Sequence, residues 1–175
     1  MKKMFSVILC LSIVLAMVVS ASACEVDVKE DTHNVYINLS EMEVGESVVV
    51  GDLVFEKAPD DAILPSHPGA RATSDGFYVS NFGGNMTMDK SLVLNSTYRY
   101  FWIRVNNTGE TMSVSISKNG THEYFTEVGT GSLYIYSTRA WSAGTHTVSF
   151  SCNSGLRGSA NAVLCSSLDE AKAHN

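Results

Sequence analysis

The chain has 175 residues, of which 45% are hydrophobic and 17% charged, and its formal net charge is −6. This apolar fraction excludes a wholly disordered chain, and the acidic balance argues against a nucleic-acid binder, which normally carries a basic patch. Three prolines against 13 glycines exclude collagen-like material.

The first 23 residues have the three parts of a secretory signal peptide. Lys2 and Lys3 precede an uncharged apolar run over 4–19, and small residues then lead to Ala21-Ser22-Ala23. A basic start, an apolar middle and an A-x-A end are typical of such leaders, and a bilayer span would need about 20 apolar residues. We therefore expect a signal peptide over 1–23 and an extracellular mature chain.

Cys24 leaves two routes open for the exported chain. The sequence Ala-Ser-Ala-Cys24 resembles a bacterial lipobox, whose cysteine receives lipid and becomes the mature N-terminus, although Ala21 replaces the usual leucine. Cys24, Cys152 and Cys165 remain after the leader, and an odd cysteine in an exported protein needs an explanation. Lipidation of Cys24, with anchoring to the cell membrane, would supply one. Plain secretion is the alternative.

Charge divides the mature chain into an acidic N-terminal part and a nearly neutral remainder. Residues 25–61 carry 11 acidic and two basic residues, whereas residues 62–175 carry seven and eight. Between them, residues 58–73 hold all three prolines and no periodicity, which predicts an extended linker. A tether and a pro-segment cut near Arg71 are both compatible with this composition.

The acidic segment 24–57 is predicted to contain a β-hairpin. Two apolar runs, 48–50 and 53–55, flank Gly51-Asp52, a two-residue loop with glycine first, as a type II′ turn requires. This register places Val50 opposite Leu53 and Val48 opposite Phe55. Because an isolated hairpin is marginal in water, we expect these strands to dock on the larger domain.

Residues 74–168 predict an all-β domain, an antiparallel β-sandwich of the jelly-roll type. About eight short strands recur at a spacing of roughly ten residues and are joined by Gly and Asn turns. The clearest strand alternates Met112, Val114 and Ile116 with Ser113, Ser115 and Ser117, which predicts one buried face and one face in water. Ser167 and Glu170 have capping-box spacing, so the tail 169–175 is expected to be a short helix or disordered.

Three stretches of this domain, 97–109, 114–117 and 142–150, resemble bacterial pre-peptidase C-terminal domains and the carbohydrate-binding-like jelly rolls near them. The last stretch, Ser-Ala-Gly-Thr-His-Thr-Val-Ser-Phe, is similar to a strand entry of such domains, with His146 where tyrosine is common. The resemblance implies a small accessory β-sandwich on an exported protein. Those domains usually accompany a catalytic domain, for which this sequence has no motif.

The sequence carries no recognisable catalytic or metal-binding motif. Gly-x-Ser-x-Gly, His-Glu-x-x-His and Walker-type glycine loops are missing, and the five histidines share no ligand spacing. His146 lies in the apolar phase of its strand and is expected to be buried. No catalytic residue, cofactor or metal is therefore predicted. Cys152 and Cys165 are expected to form a disulfide, with free buried thiols as the alternative.

Aromatic residues supply the candidate ligand site. Tyr98, Tyr100 and Trp102 alternate with an apolar set expected to face the core, so their row would line the outer face of a sheet. Sugar rings stack on such half-wet aromatic faces. Trp141 and Arg139 share a loop and are the second candidates. Packing beneath loops is the alternative for each aromatic ring.

These features predict a noncatalytic exported β-sandwich of the bacterial cell surface that serves adhesion, envelope structure or ligand binding. The expected ligand is a glycan or another cell-wall component, and no nucleic-acid partner is expected. A small secreted enzyme or inhibitor, with a site assembled only in three dimensions, is the alternative. Exposure of Trp102 and Trp141 discriminates between a sugar platform and core packing.

Overall fold

The computed structural model describes residues 35–60, 76–118 and 121–174. The predicted leader 1–23, Cys24 and residues 61–73 of the predicted linker lie outside these ranges. Within them the chain forms eleven strands and one short helix, so the all-β prediction is confirmed. None of the helical structure in this part of the chain is long and apolar enough to cross a membrane.

The strands form two sheets that pack face to face. In chain order they are β1 (Val35–Ile37), β2 (Ser47–Val50), β3 (Leu53–Lys57), β4 (Tyr78–Val79), β5 (Thr87–Leu94), β6 (Tyr100–Asn107), β7 (Met112–Lys118), β8 (Thr121–Val128), β9 (Gly131–Ser137), β10 (Gly144–Ser151) and β11 (Gly158–Cys165). The five-stranded sheet has the order β1-β8-β7-β10-β5, and the six-stranded sheet has the order β2-β3-β9-β6-β11-β4. Each described pairing is antiparallel except β1 with β8, which is parallel.

The core lies between the sheets and follows the alternation of strand side chains. Phe101, Ile103 and Val105 of β6 are each 0% exposed and face it, as expected for the apolar phase of that strand. Met112, Val114 and Ile116 of β7 meet them from the other sheet. The side of the six-stranded sheet that faces away from this core is called the outer face below.

The N-terminal strands belong to the sandwich. The hairpin has the predicted register, with Val50 opposite Leu53 and Val48 opposite Phe55. Gly51 has a φ of 59°, which a two-residue hairpin loop demands at its first position. Strand β3 pairs with β9 and β1 pairs with β8, so the acidic segment contributes to both sheets.

One sequence expectation about the sheets was wrong. Ser115 and Ser117 are only 7% and 9% exposed, so that face of β7 is not wet. The reason is that β7 has paired strands on both sides, and a serine side chain is too short to rise above its neighbours. Strand β3 ends at Lys57, directly before the predicted linker, and the first residue of that linker, Ala58, is fully buried and donates its N–H to Ser132 O at 3.0 Å.

The predicted capping box forms the N-terminus of helix α1 (Leu168–Lys172). Ser167 Oγ accepts a hydrogen bond from Glu170 N at 3.1 Å, as an N-cap side chain should. The helix packs on the outer face, where Ala171 joins a second apolar cluster with Trp102 and Cys165. This helix therefore covers the part of the outer face around Trp102, which the sequence predicts to be exposed and available for ligand binding.

Candidate functional site

The predicted aromatic row does not form an exposed platform. Trp102 is 2% exposed, and its ring centroid lies 5.4 Å from those of Tyr134 and His174. Tyr100 packs against this same outer cluster, whereas Tyr98 packs against the core between the sheets. Tyr98 precedes β6 in a turn held by Asn95, whose Oδ1 accepts from Thr97 N and Tyr98 N, so strand alternation does not extend to it.

Trp141 is also buried, with 6% of its surface exposed. Its ring stacks on Tyr124, with centroids 5.6 Å apart and planes at 28°, and it meets Phe101 edge-on at 4.9 Å. The loop is fixed by a reciprocal pair with Arg99: Trp141 N donates to Arg99 O, and Arg99 Nε donates to Trp141 O, both at 2.8 Å. Both ring faces are occupied by protein, so a sugar cannot stack on this indole.

The loop of Trp141 nevertheless borders a cleft of about 450 Å³ at one end of the sandwich. Its lining residues are Asp52, Tyr124, Arg139, Ala140, Trp141 and Ser142. Of the sequence candidates, the fold thus brings Arg139 and Trp141 to one site and leaves Tyr98, Tyr100 and Trp102 out of it. Sequence analysis missed Asp52 and Tyr124. Asp52 stands in a predicted hairpin turn, but nothing local indicates that Tyr124, 72 residues away, contacts it.

A hydrogen-bonded network centred on Asp52 organises the cleft. Asp52 Oδ2 accepts from Tyr124 Oη at 2.9 Å and forms an ion pair with Arg139 Nη2. The Asp52 carbonyl accepts from Thr138 N at 2.8 Å and from Thr138 Oγ1 at 3.1 Å. The hairpin turn is therefore tied to the other sheet through Tyr124 and to the neighbouring strand through Thr138.

Burial and hydrogen bonding determine the protonation and the exposure of the groups in this network. Burial, followed by the hydrogen bond to Asp52, raises the pKa of Tyr124, so its phenol stays protonated at neutral pH and is a poor nucleophile or base. The Arg139 side chain is 72% exposed, whereas that of Asp52 is 22% exposed. The guanidinium, with five N–H donors, is thus more accessible than the carboxylate with which it pairs.

A second cation stands beside the cleft. Lys118 Nζ donates to Ser142 Oγ and, at 3.2 Å, to Ala143 O, which places an ammonium group next to a lining hydroxyl. His146 lies behind this loop, as the sequence predicted for a buried histidine: it is 0% exposed and its Nε2 is 3.0 Å from Ser142 O. Arg139 in the loop 139–143, and Arg99 and Lys118 hydrogen-bonded to that loop, thus bring three cationic side chains to this part of the surface.

The expected disulfide is absent from the structure. Cys152 and Cys165 are both free and buried. They belong to opposite sides of the six-stranded sheet, because Cys152 packs in the core between the sheets and Cys165 packs on the outer face near α1. Burial raises the pKa of Cys165 to about 12, so its thiol is protonated and unreactive at neutral pH.

No group of three or more His, Cys, Asp and Glu side chains suited to a metal ion occurs in the part of the chain that the structure describes. No family model, curated protein or solved structure matches this chain. The resemblance to pre-peptidase C-terminal domains therefore stays a prediction.

Proposed function

We propose that this chain is a noncatalytic β-sandwich displayed outside a bacterial cell, where it binds a polar ligand in the Asp52–Arg139 cleft. A saccharide of the cell wall or of a host glycan is the most concrete ligand. Display outside the cell is proposed because the first 23 residues have the parts of a signal peptide. A lipid on Cys24 is expected to anchor the chain to the membrane. The observation that carries the binding proposal is the exposed Arg139 guanidinium, which pairs at the cleft with the Asp52 carboxylate, itself hydrogen-bonded by Tyr124.

The mode of sugar binding differs from the stacking expected from the sequence. Because Trp102 and Trp141 are buried, the proposal relies on hydrogen bonds: Arg139 donates to ring and hydroxyl oxygens, Ser142 offers a hydroxyl, and Asp52 accepts from a ligand hydroxyl. Tyr124, half-buried, lines the apolar side of the cleft. The two cations, Arg139 and Lys118, favour acidic saccharides over neutral ones.

A glycan-array and cell-wall pull-down assay tests the binding proposal. The full chain, expressed with its leader in a bacterial host and purified after processing, should retain acidic glycans, and Arg139→Ala should reduce retention by about tenfold, which matches a lost charge-assisted hydrogen bond of about 1.4 kcal/mol. Arg157→Ala, at an exposed arginine outside this cleft, is the matched control and should bind like the parent chain. Equal retention by both variants, or no retention by the parent, contradicts the proposal.

Mass spectrometry of the processed N-terminus tests the anchor separately. We expect a diacylglycerol-modified Cys24 in the membrane fraction. Unmodified Cys24 in the culture medium would show that the chain is secreted without a lipid anchor to the membrane. The proposal that the cleft binds a ligand would not be affected by that result.

A further inference from the structure

The loop 139–143 connects the two sheets at the end of the sandwich that holds the cleft. It lies between β9 of the six-stranded sheet and β10 of the five-stranded sheet, and its first residue is Arg139. One further cation borders it from each sheet: Arg99 directly precedes β6 of the first, and Lys118 is the last residue of β7 in the second. The loop together with Arg99 and Lys118 is called the cationic loop below.

Hydrogen bonds fix two of these cations at separate points of the loop. Arg99 Nε donates to Trp141 O at 2.8 Å, and Lys118 Nζ donates to Ala143 O at 3.2 Å. The two accepting carbonyls are two residues apart, and two residues span at most about 7 Å. With Arg139 at the first position, the cationic loop therefore brings a cationic side chain to about every second residue.

Much of the hydrogen-bonding capacity of these cations is not used by the described part of the chain. A guanidinium has five N–H donors and an ammonium group has three. Arg99, which is exposed, donates there only through Nε, and the half-buried Lys118 donates only to the loop. Both contact neutral acceptors, and within the same residues Arg139 alone of the three forms an ion pair, with Asp52. The cationic loop can therefore accept anionic groups from a ligand.

The separation of the charges selects among acidic ligands. A single small anion that reached all three cations would have to replace the acceptors that hold Arg99 and Lys118, and those bonds fix a loop that lines the cleft. An anionic chain can instead place one acid group at each cation and leave the bonds intact. Because one solvent-exposed ion pair contributes little to affinity, several such contacts in parallel are needed.

We propose, on the basis of the proposed function, that the cationic loop binds an acidic polysaccharide along its chain and not a single sugar acid. Acid groups on successive sugar units lie against Arg139, Arg99 and Lys118. Asp52 distinguishes a polysaccharide from an acidic polypeptide, because its carboxylate repels a dense row of acids but accepts a hydrogen bond from a sugar hydroxyl. Ser142, exposed beside Lys118, offers a further hydroxyl to the same chain.

Titration calorimetry of the full chain with short acidic saccharides tests this mode of binding. The probes are galacturonate and its linear octamer, and the measured quantity is the change of Kd with salt concentration. For a flexible anionic strand each contact adds about −0.7 to the slope of log affinity against log salt, so three contacts weaken binding of the octamer about 20-fold between about 50 and 200 mM salt. The single contact of galacturonate gives about threefold, and this comparison requires no variant to fold. A neutral octamer of glucose should not bind measurably.

Charge-removing variants assign the contacts to the cationic loop. Arg99→Gln and Lys118→Gln keep an amide donor, and each should reduce the effect of salt on the octamer to about sevenfold, as two contacts predict. Arg99→Lys and Lys118→Arg retain the charge and should keep the effect of the parent chain. Lys172→Gln, at an exposed lysine of α1, is the matched control and should leave that effect unchanged.

The results that overturn this mode of binding differ from those that overturn the ligand cleft. Equal effects of salt on galacturonate and its octamer, or an unchanged effect in both glutamine variants, would mean that a single anion is bound, and the proposed function would stand. Binding of octaglutamate as tight as that of the acidic octamer would show that the partner is an acidic polypeptide. If neither galacturonate nor its octamer binds, the proposed function fails as well.

Discussion

Replacing Gly158 with alanine is expected to destabilise the sandwich far more than the same change at Gly45. Both glycines have positive φ, 113° and 86°, so both alanine variants carry the backbone strain of about 1–2 kcal/mol that an L side chain meets there. A Cβ at Gly45 would meet nothing within 4 Å, whereas one at Gly158 would lie 1.8 Å from Asn106 O. Relief of that overlap requires strands β11 and β6 to separate locally by about 1.7 Å, since non-bonded contacts of carbon settle near 3.5 Å.

This separation weakens two backbone hydrogen bonds that close the end of the sheet. Phe82 N donates to Gly158 O at 3.0 Å, and Thr108 N donates to Arg157 O at 3.1 Å. At about 1 kcal/mol net for each bond, the excess destabilisation of Gly158→Ala over Gly45→Ala is about 2–3 kcal/mol. The loss of unfolded-state freedom is the same in both variants and cancels in the comparison.

Urea unfolding, followed by tryptophan fluorescence, measures the difference. For a slope of about 2 kcal/mol/M, the midpoint of Gly158→Ala should lie about 1–1.5 M below that of Gly45→Ala. Equal midpoints would refute the reasoning, because they would mean that β11 and β6 do not approach each other at Gly158 as described.

Three further predictions concern the core, the thiols and the cleft. Val114→Asp places a carboxylate at a position that is 3% exposed and should cost several kcal/mol of stability. Ser115→Asp, on the face that the sequence predicts to be in water, should cost about 1–3 kcal/mol because Ser115 is only 7% exposed. Thermal melts of the two variants compare these costs, and an unchanged melting temperature for Ser115→Asp would mean that this face is exposed to water after all. Because burial raises the pKa of Cys165 from 9.0 to about 12, its thiol should resist alkylation at pH 8 until the chain unfolds. The free energy of unfolding should also fall as the pH rises above about 9, because there the thiol ionises only in the unfolded chain. Rapid alkylation of the native chain, measured by mass spectrometry, would contradict the first of these expectations. Tyr124→Phe removes the hydrogen bond to Asp52 and should cost about 1 kcal/mol in urea unfolding, and an unchanged midpoint would mean that the network adds nothing to stability.

Local pattern was sufficient for the strands, the hairpin register and the capped helix. Alternation with period two identified the buried phase of β6 and β7, and the two-residue loop at Gly51 determined which residues of β2 and β3 are opposite each other. These features depend on neighbours within a few residues of each other. For the same reason, sequence reasoning also identified His146 as buried.

Features that depend on distant parts of the chain could not be read in this way. The stack of Tyr124 on Trp141 and the contact of Asp52 with Tyr124 require the order of strands in two sheets, which no local pattern contains. The sequence predicted that Trp102 is exposed for ligand binding, because no local pattern shows that helix α1 packs over it. Cys152 and Cys165 are close in sequence, but the sheet stands between their side chains.

The parallel pairing of β1 with β8 and the pairing of β3 with β9 also impose an order on folding. The first strands that the structure describes are partnered by strands much later in the chain; Asp52 and Thr138, for example, are 86 residues apart. Until β8 and β9 emerge, the valine-rich hairpin has no sheet to join and presents open edges to other chains. A truncation before β8 would therefore leave β1 and the hairpin without the strands that pair with them.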